Sequence, residues 1–172
     1  YDKEEPDDLD IIIDNYRIVN AGDFDICILA VSRKPIFYKN GIHVWIKTYD
    51  ELNANLMILM SFIILGHPDW RRSSIKIYYF CREDEKEAVK AWFDELIVSG
   101  RMPIYQHNIE IVVRKEEISY KKTIADYSSE AGLTIIGFTA EEVRSHGRDV
   151  FEGYDALGSV LFVNASSAKK IE

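Results

Sequence analysis

Cysteine is scarce in this sequence of 172 residues, and long apolar runs are missing. Only Cys27 and Cys81 occur, and neither belongs to a CxxC pair or a regularly spaced framework, which excludes a disulfide scaffold. No run reaches the ~18 apolar residues of a membrane-spanning helix, and the N-terminus lacks the basic-then-apolar pattern of a signal peptide. We therefore expect a domain that folds in a reducing, cytoplasmic environment.

Basic residues are also in deficit, with 21 Lys and Arg against 29 Asp and Glu, and the net charge is -8. A broad nucleic-acid-binding face needs a basic surface, so we expect no nucleic-acid partner. The length and the 47% hydrophobic content suit one domain. The first ten residues are rich in acidic side chains. We interpret residues 1–22 as a linker or N-terminal extension and residues 23–172 as a single α/β cytosolic domain.

Signatures of catalysis are absent. The sequence contains no GxGxxG, no GxxxxGK[ST] and no GxSxG, and neither cysteine has basic neighbours that would favour a thiolate. Metal ligands at the usual spacing are missing as well, because the histidines are far apart in the sequence. We predict that the domain is not an enzyme and has no catalytic residue, no cofactor and no metal site. The four histidines are His43, His67, His107 and His146.

Apolar periodicity predicts strands that alternate with helices. The predicted strands span residues 25–31, 42–47, 75–81, 109–113, 133–138 and 160–163. The predicted helices span residues 50–65, 83–99 and 119–131, and Thr139 begins a short one with a capping box. Intervals of ~30 residues between strands indicate right-handed βαβ crossovers. The fold class is therefore α/β, a three-layer Rossmann-like sandwich of the universal-stress-protein kind with a mostly parallel sheet.

Two details of this architecture concern the first strand and the sheet order. The continuous apolar run at 25–31 is typical of a strand buried on both faces. The order of the strands stays open, and an antiparallel hairpin between the first two runs, through Asn40-Gly41, is one arrangement.

The helix predicted after Asp50 is apolar on nearly every side. From Leu56 to Leu65 its only polar residue is Ser61, so the sheet and some other element should bury it. We expect Gly66 to cap it in the left-handed conformation. If Trp45 and Trp70 frame this helix, Leu59→Ala should cost ~2–5 kcal/mol.

Two groups of residues are candidates for an interface. Arg71 and Arg72 follow Trp70, and this cationic pair is either a solvated surface or a contact with a partner domain or lipid headgroup. Phe151, Tyr154 and Leu157 lie on a predicted short helix near the C-terminus. They form a homodimer interface or complete the core of the monomer, and the sequence leaves both alternatives open.

Three consecutive segments carry a family resemblance, namely residues 41–47 (GIHVWIK), 56–65 (LMILMSFIIL) and 68–78 (PDWRRSSIKIY). Together they resemble the C-terminal domain of cation-chloride cotransporters and their prokaryotic relatives. Residues 100–104 and 128–137 are similar to later segments of that family in the same order. The positions that match in the first three segments are Ile42, Val44, Trp45, Leu59, Ile64, Trp70, Arg71, Ile75 and Ile77.

The sequence departs from the family pattern at His43, Ile46 and Gly132, which replace an acidic residue, a second tryptophan and an aspartate. The resemblance, which covers about residues 24 to 138, implies a cytosolic domain joined to the transmembrane module of the same polypeptide. It also implies a position at the cytoplasmic face of the membrane, homodimerisation, and a role in the assembly or regulation of ion transport.

Two other functions remain as alternatives. A nucleotide-binding module like the universal stress proteins would use Gly147, Gly153 and Gly158, although their spacing differs from that pattern. An unrecognised small-molecule enzyme is the third hypothesis.

Overall fold

One sheet of six strands forms the centre of the computed structural model, which describes residues 1–48, 50–98 and 104–167. The strand order is β1-β6-β5-β2-β3-β4, and every neighbouring pair is parallel except β1 and β6. The strands are β1 (Ile26–Ala30), β2 (Ile42–Lys47), β3 (Ile75–Cys81), β4 (Ile109–Val113), β5 (Leu133–Gly137) and β6 (Val160–Asn164). The predicted Rossmann-like sandwich with a mostly parallel sheet is confirmed.

Helices cover both faces of the sheet. Those in the described residues are α1 (Leu9–Asn20), α2 (Glu51–Leu65), α3 (Lys86–Val98), α4 (Tyr120–Ser128) and α5 (Ala140–His146). The core on one face contains side chains of α2 and α3, and the core on the other contains side chains of α1, α4 and α5. The chain builds outward from β2 to β3 and β4, then crosses back through α4 to β5. The direction of winding therefore reverses between β2 and β5.

Strand β1 corrects two predictions. It lies at the edge of the sheet and pairs only with β6, in antiparallel orientation, so no hairpin with β2 forms. Ile28 and Ala30 are buried whereas Cys27 and Leu29 are exposed, so β1 is not buried on both faces. The apolar run describes only the residues of β1 itself. Burial on both faces also requires that the strand lies in the interior of the sheet. Gly41, in the expected turn, has φ 89° and lies directly before β2 instead.

Residues 1–22, interpreted from the sequence as a linker or N-terminal extension, pack against the rest of the described chain. They contain α1, whose Leu9 is fully buried and whose Tyr16 is 4% exposed in the core. Before α1, the Lys3 ammonium donates hydrogen bonds of 2.8–2.9 Å to three backbone carbonyls of residues 154–158. The acidic composition hid the apolar stripe of α1, and the described N-terminal segment is part of the same folded unit.

Helix α2 begins after Asp50 and ends at Leu65, as expected. Its inner face packs on the sheet, where Met57, Ile58 and Ser61 are fully buried. Gly66 follows with φ -66°, so the predicted left-handed cap is wrong and the last turn closes in the right-handed conformation. Gly100 follows the helix predicted over residues 83–99, where a C-cap glycine is expected, and it lies outside the described residues.

The outward face of α2 is exposed although it is apolar. Leu52 is 52% exposed, Leu59 38% and Ile63 60%, so the predicted near-complete burial of this helix is wrong. Trp45 does not frame α2 either, because it stacks on Tyr78 in the core of the opposite face. Hydropathy alone does not distinguish a helix that is covered on both sides from one that is covered by the sheet alone.

The two faces of α2 should respond differently to truncation. Met57→Ala should lower the free energy of unfolding by ~2–5 kcal/mol, because it leaves a cavity in the packed core. Leu59→Ala should cost less than about 1 kcal/mol, since that side chain already contacts solvent. Urea denaturation of both variants measures the difference, and equal losses would contradict this description of α2.

Candidate functional site at the switch point of the sheet

The carboxyl ends of β2 and β5 lie side by side where the winding of the sheet reverses. Lys47 ends β2 and Gly137 ends β5, and the two strands pair in parallel. In open α/β sheets, ligands bind in the crevice at such a switch point. This crevice is therefore the first place in the fold to look for a functional site.

A cavity of about 220 Å³ occupies the crevice. Aromatic and aliphatic side chains form most of its wall, and the polar ones come from β2, α4, α5 and the short 3-10 helix that follows α5. Typical ligand pockets measure ~300–1,000 Å³, so this cavity is small. Its lining residues are Lys47, Tyr120, Lys121, Ile136, Gly137, Phe138, Glu142, His146, Asp149, Val150, Tyr154 and Phe162.

An ion pair links β2 to α5 within the crevice. Lys47 Nζ lies 2.5 Å from Glu142 Oε1, and the other carboxylate oxygen accepts a 2.8 Å hydrogen bond from the Thr139 amide. Thr139 Oγ1 in turn accepts from the Glu142 amide, which completes the capping box predicted from the sequence. The Lys47 ammonium also lies 5.5 Å from the ring centroid of Tyr120. Glu142 is therefore held in place by its own helix and neutralises the lysine.

Asp50 is the buried carboxyl group of this region. It is 3% exposed, and its Oδ1 accepts a 2.5 Å hydrogen bond from Asn53 Nδ2, whereas Oδ2 has no partner in the described structure. A Cβ at position 137 would lie 2.0 Å from Oδ2, so only glycine there allows the carboxyl to lie against β5. Burial raises the pKa of Asp50 to about 7, and the opposing effects of Lys47 and Asn53 are smaller.

Asn53 connects this carboxyl to the ends of two strands. Its amide nitrogen donates a 2.9 Å hydrogen bond to the Phe138 carbonyl, and its oxygen accepts a 2.6 Å bond from the Ala165 amide. Phe138 follows β5 and Ala165 follows β6. The first turn of α2 is thereby fixed to both strands by buried hydrogen bonds.

Tyr120 has a second unpartnered polar atom in this region. Its hydroxyl is buried and has no hydrogen-bond partner in the part of the chain that the structure describes. Burial raises the pKa of this phenol well above its ordinary value. The lysines of the crevice are engaged, because Lys47 is paired with Glu142 and Lys121 donates to the backbone carbonyls of Asp149 and Glu152, whereas a phosphate-binding crevice presents free amides and cations. The arrangement contains no nucleophile with an adjacent base.

The predicted interface residues fall into two separate places. Phe151, Tyr154 and Leu157 are 2%, 6% and 0% exposed and pack in the core beneath α1, so they complete the monomer. Arg71 and Arg72 are exposed after a short turn at the other end of α2. The structure does not bring the two groups together, and a contact through the first group would require the core to open.

The sequence analysis missed the crevice residues. Asp50 and Glu142 were recognised only as residues at helix starts, and Tyr120 and Lys47 were not singled out. One feature of the sequence pointed to the crevice: Asp50 lies three positions after the end of the buried strand β2. Side chains at a switch point come from such positions, just after the carboxyl ends of strands. Strand order was needed to bring the two helix starts together.

The glycines considered for phosphate binding have other positions. Gly147 ends α5 with φ 53°, and Gly153 has φ 80° beside the Lys121 side chain. Gly158 lies just before β6. A phosphate cradle requires backbone amides at the start of a helix, and of these glycines only Gly147 begins one, a 3-10 helix of four residues.

The histidines are dispersed in the fold. His43 Nδ1 lies 2.9 Å from Ser128 Oγ, and burial, with a smaller contribution from Lys76, lowers the pKa of His43 to about 4. His67, His107 and His146 are exposed. Within residues 1–48, 50–98 and 104–167, no group of three or more His, Cys, Asp or Glu side chains is placed to hold a metal ion. Across the same residues, no helix has the length and apolarity needed to span a membrane.

Solved structures include proteins with a fold like that of this chain. No protein-family model and no curated protein matches the chain. A solved structure, the cytoplasmic domain of a prokaryotic cation chloride cotransporter, superposes with a TM-score of 0.59 at 18% sequence identity. The alignment covers 98% of this chain and 62% of that one, so this chain spans less than two thirds of the solved domain. At this identity the likeness establishes the fold.

The burial of Asp50 predicts a pH-dependent contribution to stability. Its pKa is raised from 3.8 in the unfolded chain to about 7, so its contribution is fully present below pH ~4 and is lost as pH rises to ~7. The slope is at most about 1.4 kcal/mol per pH unit. Asp50→Asn should remove this slope, so the wild type should lose stability relative to the variant between pH 4 and 7. Urea denaturation across that range tests it, and a constant difference would contradict it.

The crevice also predicts weak affinity for nucleotides. Lys47 and Lys121 in the crevice are already bound, by Glu142 and by backbone carbonyls, so they offer little free positive charge to a phosphate. Calorimetry with ATP, ADP and AMP at millimolar concentrations should detect no saturable binding. A micromolar dissociation constant for any of the three would instead support a module like the universal stress proteins.

Proposed function

We propose that this chain is a non-catalytic cytosolic domain that regulates or assembles a cation-chloride cotransporter. In this proposal it is joined to the transmembrane module of the same polypeptide and lies at the cytoplasmic face of the membrane. The observation that carries the proposal is the fold likeness over 98% of the chain to a domain of that description.

The sequence resemblance supports the proposal independently of the superposition. Its three main segments form β2, α2 and β3, which are the central elements of the sheet and its covering helix. Ile42, Val44 and Ile77 in these segments are fully buried. The resemblance therefore concerns the core, and it supports common ancestry more directly than it supports a mechanism.

The surface of the domain favours a role through contacts. The crevice combines an immobilised ion pair with a buried carboxyl and phenol, and none of these groups is arranged as a nucleophile with its base. An apolar helix face exposed to solvent, in contrast, is typical of a protein interface. We infer that the domain acts by binding, and that dimerisation belongs to this role.

The nucleotide-binding alternative has less support. The fold is compatible with it, but Asp50 and Glu142 place carboxyl groups at the switch point, and none of the glycines at 147, 153 and 158 precedes an α-helix in the described residues. We therefore give it no separate proposal.

The attachment to a transporter has a direct test. The reading frame upstream of Tyr1 should encode about a dozen apolar segments of ~20 residues each. In proteoliposomes, the full-length protein should carry chloride-dependent rubidium flux, and deletion of this domain should lower the flux or abolish its regulation. Ion selectivity should stay the same, because the membrane segments contain the transport path. A parent gene that encodes only a soluble protein would refute the proposal.

A further inference from the structure

A groove larger than the crevice lies at the amino ends of β2 and β3, at the opposite end of the sheet from the switch point. Its volume is about 510 Å³, whereas that of the crevice is about 220 Å³. One wall is the turn before β2, and the other is the turn before β3. We call it the cationic groove, and the residues that define it are Phe37, Lys39, Asp69, Arg71 and Arg72.

Packing holds the two walls of the cationic groove in place. The rings of Tyr38 and Trp70, one beside each wall, meet edge to face with their centroids 5.0 Å apart. A Cβ at position 132 would lie 2.8 Å from the Phe37 carbonyl oxygen and 3.0 Å from the Trp70 ring. Gly132 therefore allows both walls to lie against the start of β5, and the fold itself shapes the groove.

The three cations of the cationic groove are not engaged by the rest of the protein. Lys39, Arg71 and Arg72 are exposed, and among the described residues their side chains have no ion pair and no hydrogen bond. Most other described Lys and Arg side chains have a carboxylate or carbonyl partner. Asp69 is the one carboxylate among the lining residues, and it lies 3.6 Å from His67 Nδ1. The groove thus has an excess of positive charge in a chain whose net charge is -8.

Exposed apolar side chains border these cations. Phe37 is 57% exposed, and Ile36, the residue before it, is 43% exposed. Both lie on the loop between β1 and β2. At a membrane surface, apolar side chains enter the boundary between headgroups and acyl chains, while Lys and Arg contact anionic headgroups. The combination of side chains at this groove matches that environment.

The start of the described chain lies at the same end of the sheet. Because β1 is antiparallel to β6, its carboxyl end lies beside the amino end of β6, where Ala30 pairs with Val160. The Tyr1 ammonium donates a 2.9 Å hydrogen bond to the Leu29 carbonyl there. Three strand spacings, about 14 Å, separate β1 from β2. In the proposed function the transmembrane module precedes Tyr1, so this end of the sheet leads toward the membrane.

We propose that the cationic groove docks the domain on an anionic membrane surface. Lys39, Arg71 and Arg72 contact lipid phosphates, and Ile36 and Phe37 enter the acyl boundary. The inference rests on the proposed function, which places the domain at the cytoplasmic face of the membrane, and it adds the surface that meets the lipid. The acidic remainder of the chain is repelled by the same lipids, so the crevice points away from them. Salt confines that repulsion to ~10 Å at 0.1 M ionic strength.

Co-sedimentation with vesicles tests the docking surface. The 172-residue chain should bind vesicles of phosphatidylcholine and phosphatidylserine but not vesicles of phosphatidylcholine alone, and the binding should weaken as salt rises. The double variant Arg71→Ala and Arg72→Ala should weaken the partition ~25-fold, at roughly fivefold per cation.

The matched control removes the same charge at the opposite end of the sheet. Arg114 and Lys115 are exposed just after β4, and Glu116 and Glu117 follow them directly. Arg114→Ala with Lys115→Ala should bind like the wild type. An equal loss in the control would reduce the effect to net charge and overturn the proposal. Binding to neither kind of vesicle would also overturn it and would favour an acidic protein as the ligand of the groove.

Phe37→Ser tests the apolar part of the contact. This variant should weaken vesicle binding ~10-fold and leave the salt dependence unchanged, because the cations still meet the headgroups. Phe24→Ser is the matched control, since Phe24 is 63% exposed just before β1, at the far end of the sheet. Circular dichroism should show every variant folded. A Phe37→Ser chain that binds like the wild type would contradict the docking.

Soluble anions distinguish a membrane from a free phosphate compound. Calorimetry with glycerophosphoserine and with inorganic phosphate at millimolar concentrations should detect no saturable binding, because exposed cations contribute little to one small ligand in water. Saturable binding of either compound without vesicle binding would assign the groove to a soluble anion and overturn the proposal. These assays use the 172-residue chain and synthetic lipid, so a negative result leaves the flux assay and the upstream membrane segments unaffected. The two proposals therefore fail separately.

Discussion

The carboxyl group of Asp50 lies against the backbone of Gly137, and the position of α2 over the sheet depends on that contact. Asp50 binds Asn53, and Asn53 binds the backbone just after β5 and β6. The start of the helix is thus fixed to two strands that come more than 80 residues later in the chain. A side chain at position 137 would displace the carboxyl group, and with it the helix. Burying the Asp50 carboxyl group costs free energy. The same contacts fix the first turn of α2, which is the longest of the described helices.

This fixed start connects the two surfaces of functional interest. On one side of the sheet, Lys47 and Glu142 close the crevice beside the strand ends. On the other side, α2 presents its apolar stripe to solvent at an angle set by its first turn. Burial raises the pKa of Asp50 to about 7, so the protonation of the carboxyl group that begins α2 changes near neutral pH.

Much of the fold could be predicted from periodicity, and the errors have a common physical origin. The bounds of β2 and α2, the sandwich class and the capping box at Thr139 depend on local spacing, and those predictions are confirmed. Burial on the second side of an element depends on neighbours that the element's own residues do not specify. For that reason β1 was expected inside the sheet and the outer face of α2 was expected in a core. The acidic residues around α1 similarly concealed its three buried side chains.

The candidate site was less accessible to sequence reasoning than the fold. Asp50 and Glu142 each begin a helix, which is a sufficient local explanation for an acidic residue. Their common location depends on the reversal of winding between β2 and β5, and strand order could not be derived from the pattern. Phe151, Tyr154 and Leu157 illustrate the same limit from the other direction. Their apolar character was clear, but only the packing beneath α1 shows that they are interior.

The three hydrogen bonds of Lys3 join the N-terminal segment to the loop before β6. Its ammonium group holds the carbonyls of Tyr154, Leu157 and Gly158, and the Tyr1 hydroxyl donates to the Phe151 carbonyl. The Tyr1 amino group also donates a hydrogen bond to the Leu29 carbonyl of β1, so a pull on the N-terminal segment reaches both the loop before β6 and the edge strand. Tyr154 belongs both to that loop and to the wall of the crevice. Tension at the N-terminus would thus act on the crevice wall and on β1 together.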